Sequence, residues 1–343
     1  MRSIALVAPR VLEEKIMPDP PDPAPGEVLV KIRSVGICGS DMHWFLEGGI
    51  GQSKAIYPQV LGHEPAGEIV AIGKDVHHRK VGDRVSIEPS LTCGHCEYCL
   101  RGQHNNCVNC VFLGSPQAPG LFREYAVVPE HNADPVPENL DWTQATLIEP
   151  VAVIVHVMEL VSISLGDTVA VMGAGPIGML CASMAKQAGA SRVYVCDKLP
   201  HRLQLARAMG ADVAVNVNQV AEVIADETRG RGVDLVLDAA GALETINLGI
   251  ALTRPGGSFL LIGIPVESDL PIDIHTAMNK EIRILTLKRS NHKGAAAAQL
   301  IASGRISPAL VTHTLPFLDT PKGFDLLANY ADNVGKVVIE VGR

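Results

Sequence analysis

The chain has 343 residues, 47% of them apolar and 19% charged, with a formal net charge of −8. That length is long for one domain and comfortable for two, and the composition is that of an ordinary globular protein. The acidic balance speaks against a nucleic-acid partner, which calls for a basic stripe, and suits a small-molecule role.

The opening "MRSIALVAP" carries one basic residue and only a short apolar stretch before Pro9, Glu13 and Glu14, so it does not read as a signal peptide. The first half is β-rich. Runs at 4–8, 26–37, 66–73, 82–89 and 123–129 are short and β-branched, bounded by Gly, Pro and Asp. "PDPPDPAPGE" is a proline-rich loop and not a flexible linker, because strand-like "VLVKI" follows directly. The longest apolar run, "VAVIVHVMELV" at 151–161, is too short to span a bilayer and carries His156 and Glu159, so a buried helix is expected. No membrane contact and a cytoplasmic location are therefore expected. There the eight cysteines stay reduced, and their clustering points to metal and not to disulfides.

Near residue 150 the rhythm changes. "DTVAVMGAG", "RVYVCD", "DVAVN", "VDLVLDAAG", "GSFLLIGI" and "IRILTL" read as six short apolar strands. Helical patterns lie between them at "PIGMLCASMAKQAGA", at "RLQLARAMGA", from Gln219 and from Ala242. This alternation predicts a doubly wound parallel sheet. After about Lys288 the regularity ends, leaving a helix at "GAAAAQLIASG" and strands expected to return to the first domain. The expected organisation is a β-rich domain at 1–150, a nucleotide-binding domain at 151–287, and a C-terminal segment, 288–343, rejoining the first.

"VAVMGAGPIGML" contains Gly-x-Gly-x-x-Gly as Gly173, Gly175 and Gly178 between a predicted strand and a predicted helix, with Asp197 closing the next strand. Gly173 makes the tight turn, Gly175 lets the backbone approach a pyrophosphate, and Gly178 lets helix and strand pack closely. The helix N-terminus offers unpaired N–H groups to the phosphates. Asp197 suits the ribose hydroxyls and repels a 2′-phosphate, favouring NAD over NADP, although Lys198 and Arg202 stand nearby. The competing interpretation is a glycine turn that binds no nucleotide.

Two sets of metal-ligand residues stand out. Cys93, Cys96, Cys99 and Cys107 read C-x2-C-x2-C-x7-C, the ligand set of a closed tetrahedral zinc site that pins a loop poor in apolar residues. An iron–sulfur cluster or a redox dithiol competes with that assignment, and a nucleic-acid-binding zinc ribbon fits the acidic chain less well. The second set is dispersed: Cys38, His63 and Glu64, and Glu149. Singly, each has a bland explanation: a core cysteine, a satisfied histidine, a helix boundary. Together a thiolate, an imidazole and carboxylates suit zinc with an open or water-filled position, but spacing does not prove that they meet. Cys110 has no assigned role, and Cys181 and Cys196 are expected to pack as small apolar residues.

These motifs, in this order, resemble the zinc-dependent medium-chain dehydrogenase/reductase family, and within it the sorbitol (polyol) dehydrogenase-like branch. The resemblance runs almost end to end, through "GICGSDMHWFLEGGIG", "YPQVLGHEPAGEIVAIG", the four-cysteine loop, "LIEPVAVIVH", "GAGPIGML" and "VTHTLPF". It implies a GroES-like catalytic domain beside a Rossmann domain, and one catalytic and one structural zinc per chain. The implied catalytic zinc ligands are Cys38, His63 and Glu64, with Glu149 touching the zinc or holding its water. Ser40 and His43 match the proton relay, which runs through the nicotinamide ribose, and Trp44 matches a substrate-pocket position. Ile177, Asp197, Arg202, Ile262, Gly263 and Ile264 match NAD contacts. Where polyol dehydrogenases typically read Phe-Arg-Tyr this chain reads Lys288-Arg289-Ser290. Arg289 stays a substrate contact, the tyrosine is lost, and sugar acids such as idonate join sorbitol- and xylitol-like polyols as expected substrates. The resemblance further implies a homo-oligomer, dimer or tetramer. An amino-alcohol or primary-alcohol dehydrogenase and a non-catalytic NAD binder are the alternatives.

Overall fold

The strand Glu27–Gly36 is the spine of the β-rich half, its Val28, Val30 and Ile32 buried in alternation. The computed structural model describes residues 1–342. They divide into two units, the first made of 1–153, 290–304 and the stretch from 311 on, the second of 154–289 and 305–310. In the first unit the sheet runs, in spatial order, Ala133–Pro135, Arg84–Ile87, Glu64–Ile72, Glu27–Gly36, Lys336–Glu340, Val311–Pro316, with Tyr125–Pro129 also paired to Glu27–Gly36. The C-terminal strands thus complete a sheet begun by the N-terminal ones: Val338 pairs with Gly36 and Glu340 with Ser34. Phe45, Phe122 and Phe324 meet at its core with ring centroids 5.1 and 5.8 Å apart, each such pair contributing about 0.5–1.5 kcal/mol beyond its buried area.

Two elements of this unit escape the sequence pattern. Val11–Ile16 is a strand whose edge position leaves Val11, Glu13, Glu14 and Ile16 exposed. Gly39–Glu47 is a helix. Asp41 in its first turn accepts the Cys38 N–H at 3.0 Å, and left-handed Gly48 closes it by donating to the Trp44 carbonyl at 3.2 Å.

The second unit holds a six-stranded parallel sheet, in the order Val213–Asn216, Arg192–Asp197, Thr168–Met172, Val233–Asp238, Thr253–Leu261, Arg283–Thr286. Numbered along the chain this is 3-2-1-4-5-6, the order whose reversal beside the first strand opens a crevice at the strands' carboxyl ends. Strands one and four are buried on both faces, as continuous apolar runs demand. Cys181 and Cys196 are buried here, and burial pushes both thiols up to about 12. Segment 305–310 goes with this unit and not with the tail, because Gln187 donates to the Arg305 carbonyl at 2.6 Å and Ile306 and Leu310 are fully buried.

The helical stretch Trp142–Leu160 is the one stretch among the described residues long and apolar enough to cross a membrane. It is longer than the apolar run suggests because Trp142–Ala145 leads into it. Val151, Ala152, Ile154 and Val157 are at most 2% exposed, so one face of this stretch is taken up by the protein interior.

Candidate functional site

The turn that leaves Glu27–Gly36 carries Cys38 to the start of the next helix, and the neighbouring strand begins at Glu64, so His63 and Glu64 face that turn. The ligand atoms of Cys38, His63 and Glu64 all lie within 4.8 Å of one another. Asp41, fully buried, meets His63 Nδ1 at 3.3 Å and accepts the Gly62 and Cys38 N–H groups at 3.0 Å each. Burial would raise its carboxyl, but the His63 charge and these donors hold it below the usual range. Burial likewise works against the His63 imidazolium, and Asp41 and then Cys38 overcome it, holding that pKa well above the ordinary one. His63 is thereby oriented with Nε2 pointing away from Asp41, and Ser40 Oγ sits 3.2 Å from it.

Glu64 is fully buried, and its Oε2 is ion-paired with the equally buried Lys336 ammonium, while Oε1 has no hydrogen-bond partner. Gly36 makes this possible: a Cβ there would collide with Glu64 Oε2 and stand 3.0 Å from Lys336 Cε. Glu149, at the start of Ile148–Leu160, lies outside the trio of ligand atoms but within reach of its charges. Burial pushes its carboxyl up to about 8. His63 and Lys336 work against that rise, and Glu64 and Glu88 add to it. Sulfur, imidazole nitrogen and an orphaned carboxylate oxygen on one small perimeter fit a zinc ion, whose tetrahedral ligands stand roughly 3.3–3.8 Å apart. His43 Nδ1 stands 3.6 Å from Glu47 Oε2, one turn further along the same helix. Trp44 is 7% exposed and belongs to the apolar core.

Cys93, Cys96, Cys99 and Cys107 also bring their sulfurs within 4.8 Å of one another, with no disulfide among them. The backbone N–H groups of His95 and Cys96 point at the Cys93 sulfur and pull its thiol down to about 5 against a smaller opposing effect of burial. Those of Cys99 and Val108 lower Cys96 in the same way. Backbone donors aimed at sulfur favour the thiolate, which is the form that binds zinc.

In the second unit Gly173 adopts φ +93°, and Gly175 caps the helix Pro176–Gln187 with nothing within 4 Å of where its Cβ would be. A Cβ at Gly178 would collide with the Gly173 carbonyl. The turn, the open approach and the close packing expected of the three glycines are all present. Ile177 follows in the first turn. Asp197 accepts the Ala174 N–H at 2.8 Å and the Leu199 N–H at 2.9 Å, with Arg202 3.9 Å away. Ile262 and Gly263 donate to the Asp238 carbonyl at 2.8 and 2.9 Å, and Gly263 presses backbone to backbone on Gly241, which leaves Ile264 exposed at the carboxyl end of the sheet. Arg289 lies in this unit with φ +56°.

Sequence reading misses Asp41, Lys336 and Gly36. Asp41 had a local signal, an acid three residues after Cys38 where a helix begins. Lys336 had none.

Residues 24–138 match the alcohol dehydrogenase GroES-like domain, and 176–303 match the zinc-binding dehydrogenase family. Sorbitol dehydrogenase of Bacillus subtilis is 35% identical over 94% of this chain and 92% of its own. An alcohol dehydrogenase of Escherichia coli CFT073, solved with its cofactor NADH, superimposes with a TM-score of 0.89 at 33% identity, covering 99% of both chains. L-idonate 5-dehydrogenase of Escherichia coli does so at 0.89 with 29% identity, over 99% of this chain and 97% of that one.

Proposed function

The chain belongs to the zinc-dependent medium-chain dehydrogenase family, on its sorbitol dehydrogenase-like branch, and from that premise we propose that it interconverts a secondary alcohol of a polyol or sugar acid and the corresponding ketone with NAD. The supporting observation is the convergence of Cys38, His63 and Glu64, three protein ligands that leave zinc an open position. Zinc held there supplies Lewis-acid polarisation of the alcohol oxygen, and bound NAD supplies the hydride acceptor. Ser40 Oγ takes the hydroxyl proton beside His63, and His43, one turn along the same helix, would receive it by way of the ribose of bound NAD and pass it to solvent. Asp41 fixes the His63 tautomer. Glu149, beside the trio and outside it, receives a second hydroxyl of a vicinal diol or holds a water in its place. Trp44 contributes pocket wall, and Arg289 offers a cation to a sugar-acid carboxylate. The four-cysteine loop takes a second, structural zinc. A cytoplasmic location suits eight cysteines with no disulfide among them.

The test is a screen of C4 to C6 polyols and aldonates, followed by NADH formation. Turnover of at least one is expected. Activity with none of them, or preference for an amino alcohol such as threonine, overturns the substrate class.

Asp197 sets the cofactor. Replacing it with Ala removes charged hydrogen bonds and the repulsion of a 2′-phosphate, so kcat/KM with NAD falls about 10–100-fold and the preference over NADP shrinks. An unchanged NAD-to-NADP ratio contradicts the assignment.

The chain is expected to self-associate along the strand Arg283–Thr286. This edge of the parallel sheet is exposed, with Ile284 at 38%, and Ile274 and Met278 are exposed nearby. Such an edge offers unpaired backbone groups to a second copy. Ile284→Lys is expected to give a monomer by light scattering, and a wild-type monomer, or a variant of unchanged mass, contradicts the interface.

A further inference from the structure

Ser290 and Asn291 stand where the chain passes from the second unit into the first, between two non-glycine residues in the left-handed region, Arg289 at φ +56° and His292 at φ +50°. Such conformations persist only where the surroundings impose them. The four-cysteine loop supplies one constraint. Asn291 Oδ1 accepts the His104 N–H at 2.9 Å, and its Nδ2 donates to the Gly102 carbonyl at 2.8 Å, so one amide pairs with loop backbone at two points. The His104 ring packs edge-on to His292 with centroids 4.5 Å apart.

The second constraint faces the other way. Ser290, 3% exposed, donates to Glu88 Oε2 at 2.7 Å, while Glu88 Oε1 accepts the Ser90 N–H at 3.1 Å. Arg84–Ile87 pairs antiparallel to Glu64–Ile72 with Ala66 opposite Ser86, and that register brings Glu88 level with Glu64. The Glu88 charge also acts on Glu149. Hydrogen bonds therefore run from the four-cysteine loop to Asn291 and, through its chain neighbour Ser290, on to Glu88, which stands level with Glu64 beside Cys38 and His63.

We propose that Asn291 is a positioning residue: it latches the four-cysteine loop to the Ser290–Glu88 pair, so the loop that holds one metal sets the substrate end of the site built on the other. The link to substrate rests on the function proposed above. The latch does not.

The experiment compares wild type, Asn291→Ala and Asn291→Asp, the last keeping the acceptor toward His104 and losing the donor toward Gly102. In Asn291→Ala both zinc ions are expected to stay. Amide hydrogen exchange should quicken at 101–106, at 288–293 and at 88–91. KM for the best polyol should rise on the order of tenfold for two lost hydrogen bonds, with kcat nearly unchanged. Asn291→Asp should fall between. Unchanged exchange in the loop removes the latch. Faster exchange in the loop with 88–91 and KM unmoved removes the coupling. A wild type inactive on every polyol and aldonate refutes the functional reading, and with it the substrate link, while the exchange data decide the latch by themselves.

Discussion

Cys38→Ala is expected to leave one zinc per chain in place of two and to lower kcat/KM by about three powers of ten or more. The loss follows from removing several kcal/mol of Lewis-acid stabilisation along with the ion. Cys38 is the one sulfur of its trio, and its companions are an imidazole and a carboxylate whose second oxygen is committed to Lys336. Two ligands of that kind do not retain zinc against a chelator. The fold should barely respond, because the Cys38 backbone N–H that ties the start of the following helix to Asp41 is kept. Metal analysis with steady-state kinetics checks this. A variant that keeps two zinc ions and wild-type turnover excludes Cys38 as a ligand. Removing Cys99 instead is expected to release the other ion.

Lys336→Met is expected to destabilise the protein by about 3–5 kcal/mol, the cost of leaving one partner of a buried ion pair uncompensated. Lys336 and Glu64 are at most 2% exposed, and Gly36 has no side chain to fill the gap. For a chain of 343 residues that corresponds to a drop in Tm of roughly 4–7 °C. The loss should be larger after chelation than with zinc bound, since an ion at Glu64 takes over part of the neutralisation. Lys336→Met combined with Glu64→Gln should recover much of the stability, because the orphaned charge goes with its partner. Thermal melts of the single and double variants, with and without chelator, measure this cycle. Equal Tm values for wild type and Lys336→Met contradict a charged, buried Glu64.

The fold was legible wherever one periodicity governed a segment. Alternation at 26–37 and the apolar runs at 168–172 and 233–238 are each decided by which faces a strand buries, and they hold in the structure. The glycine loop was legible because each glycine answers a local steric demand that shows again as φ or as a collision. The helix Gly39–Glu47 was not, because Ser, Asp and His interrupt its apolar face and only Trp44 and Phe45 mark it as buried. The Lys336–Glu64 pair was unreadable for a different reason. A lysine opening a short strand looks like solvent-facing sequence, and only the sheet that brings the last strand beside Glu27–Gly36 gives it a buried partner. The Ser290 substitution shows the same limit. Its departure from the family pattern could be seen as a lost tyrosine, while the Glu88 carboxylate that engages the serine lies at the end of another strand.

Anomalous X-ray scattering at the zinc edge, on crystals of protein prepared without chelator, tests the central claim most directly. Two peaks per chain are predicted, one enclosed by Cys93, Cys96, Cys99 and Cys107, the other bordered by Cys38, His63 and Glu64 Oε1 with Glu149 alongside. A single peak at the four cysteines under zinc-replete conditions would contradict the account.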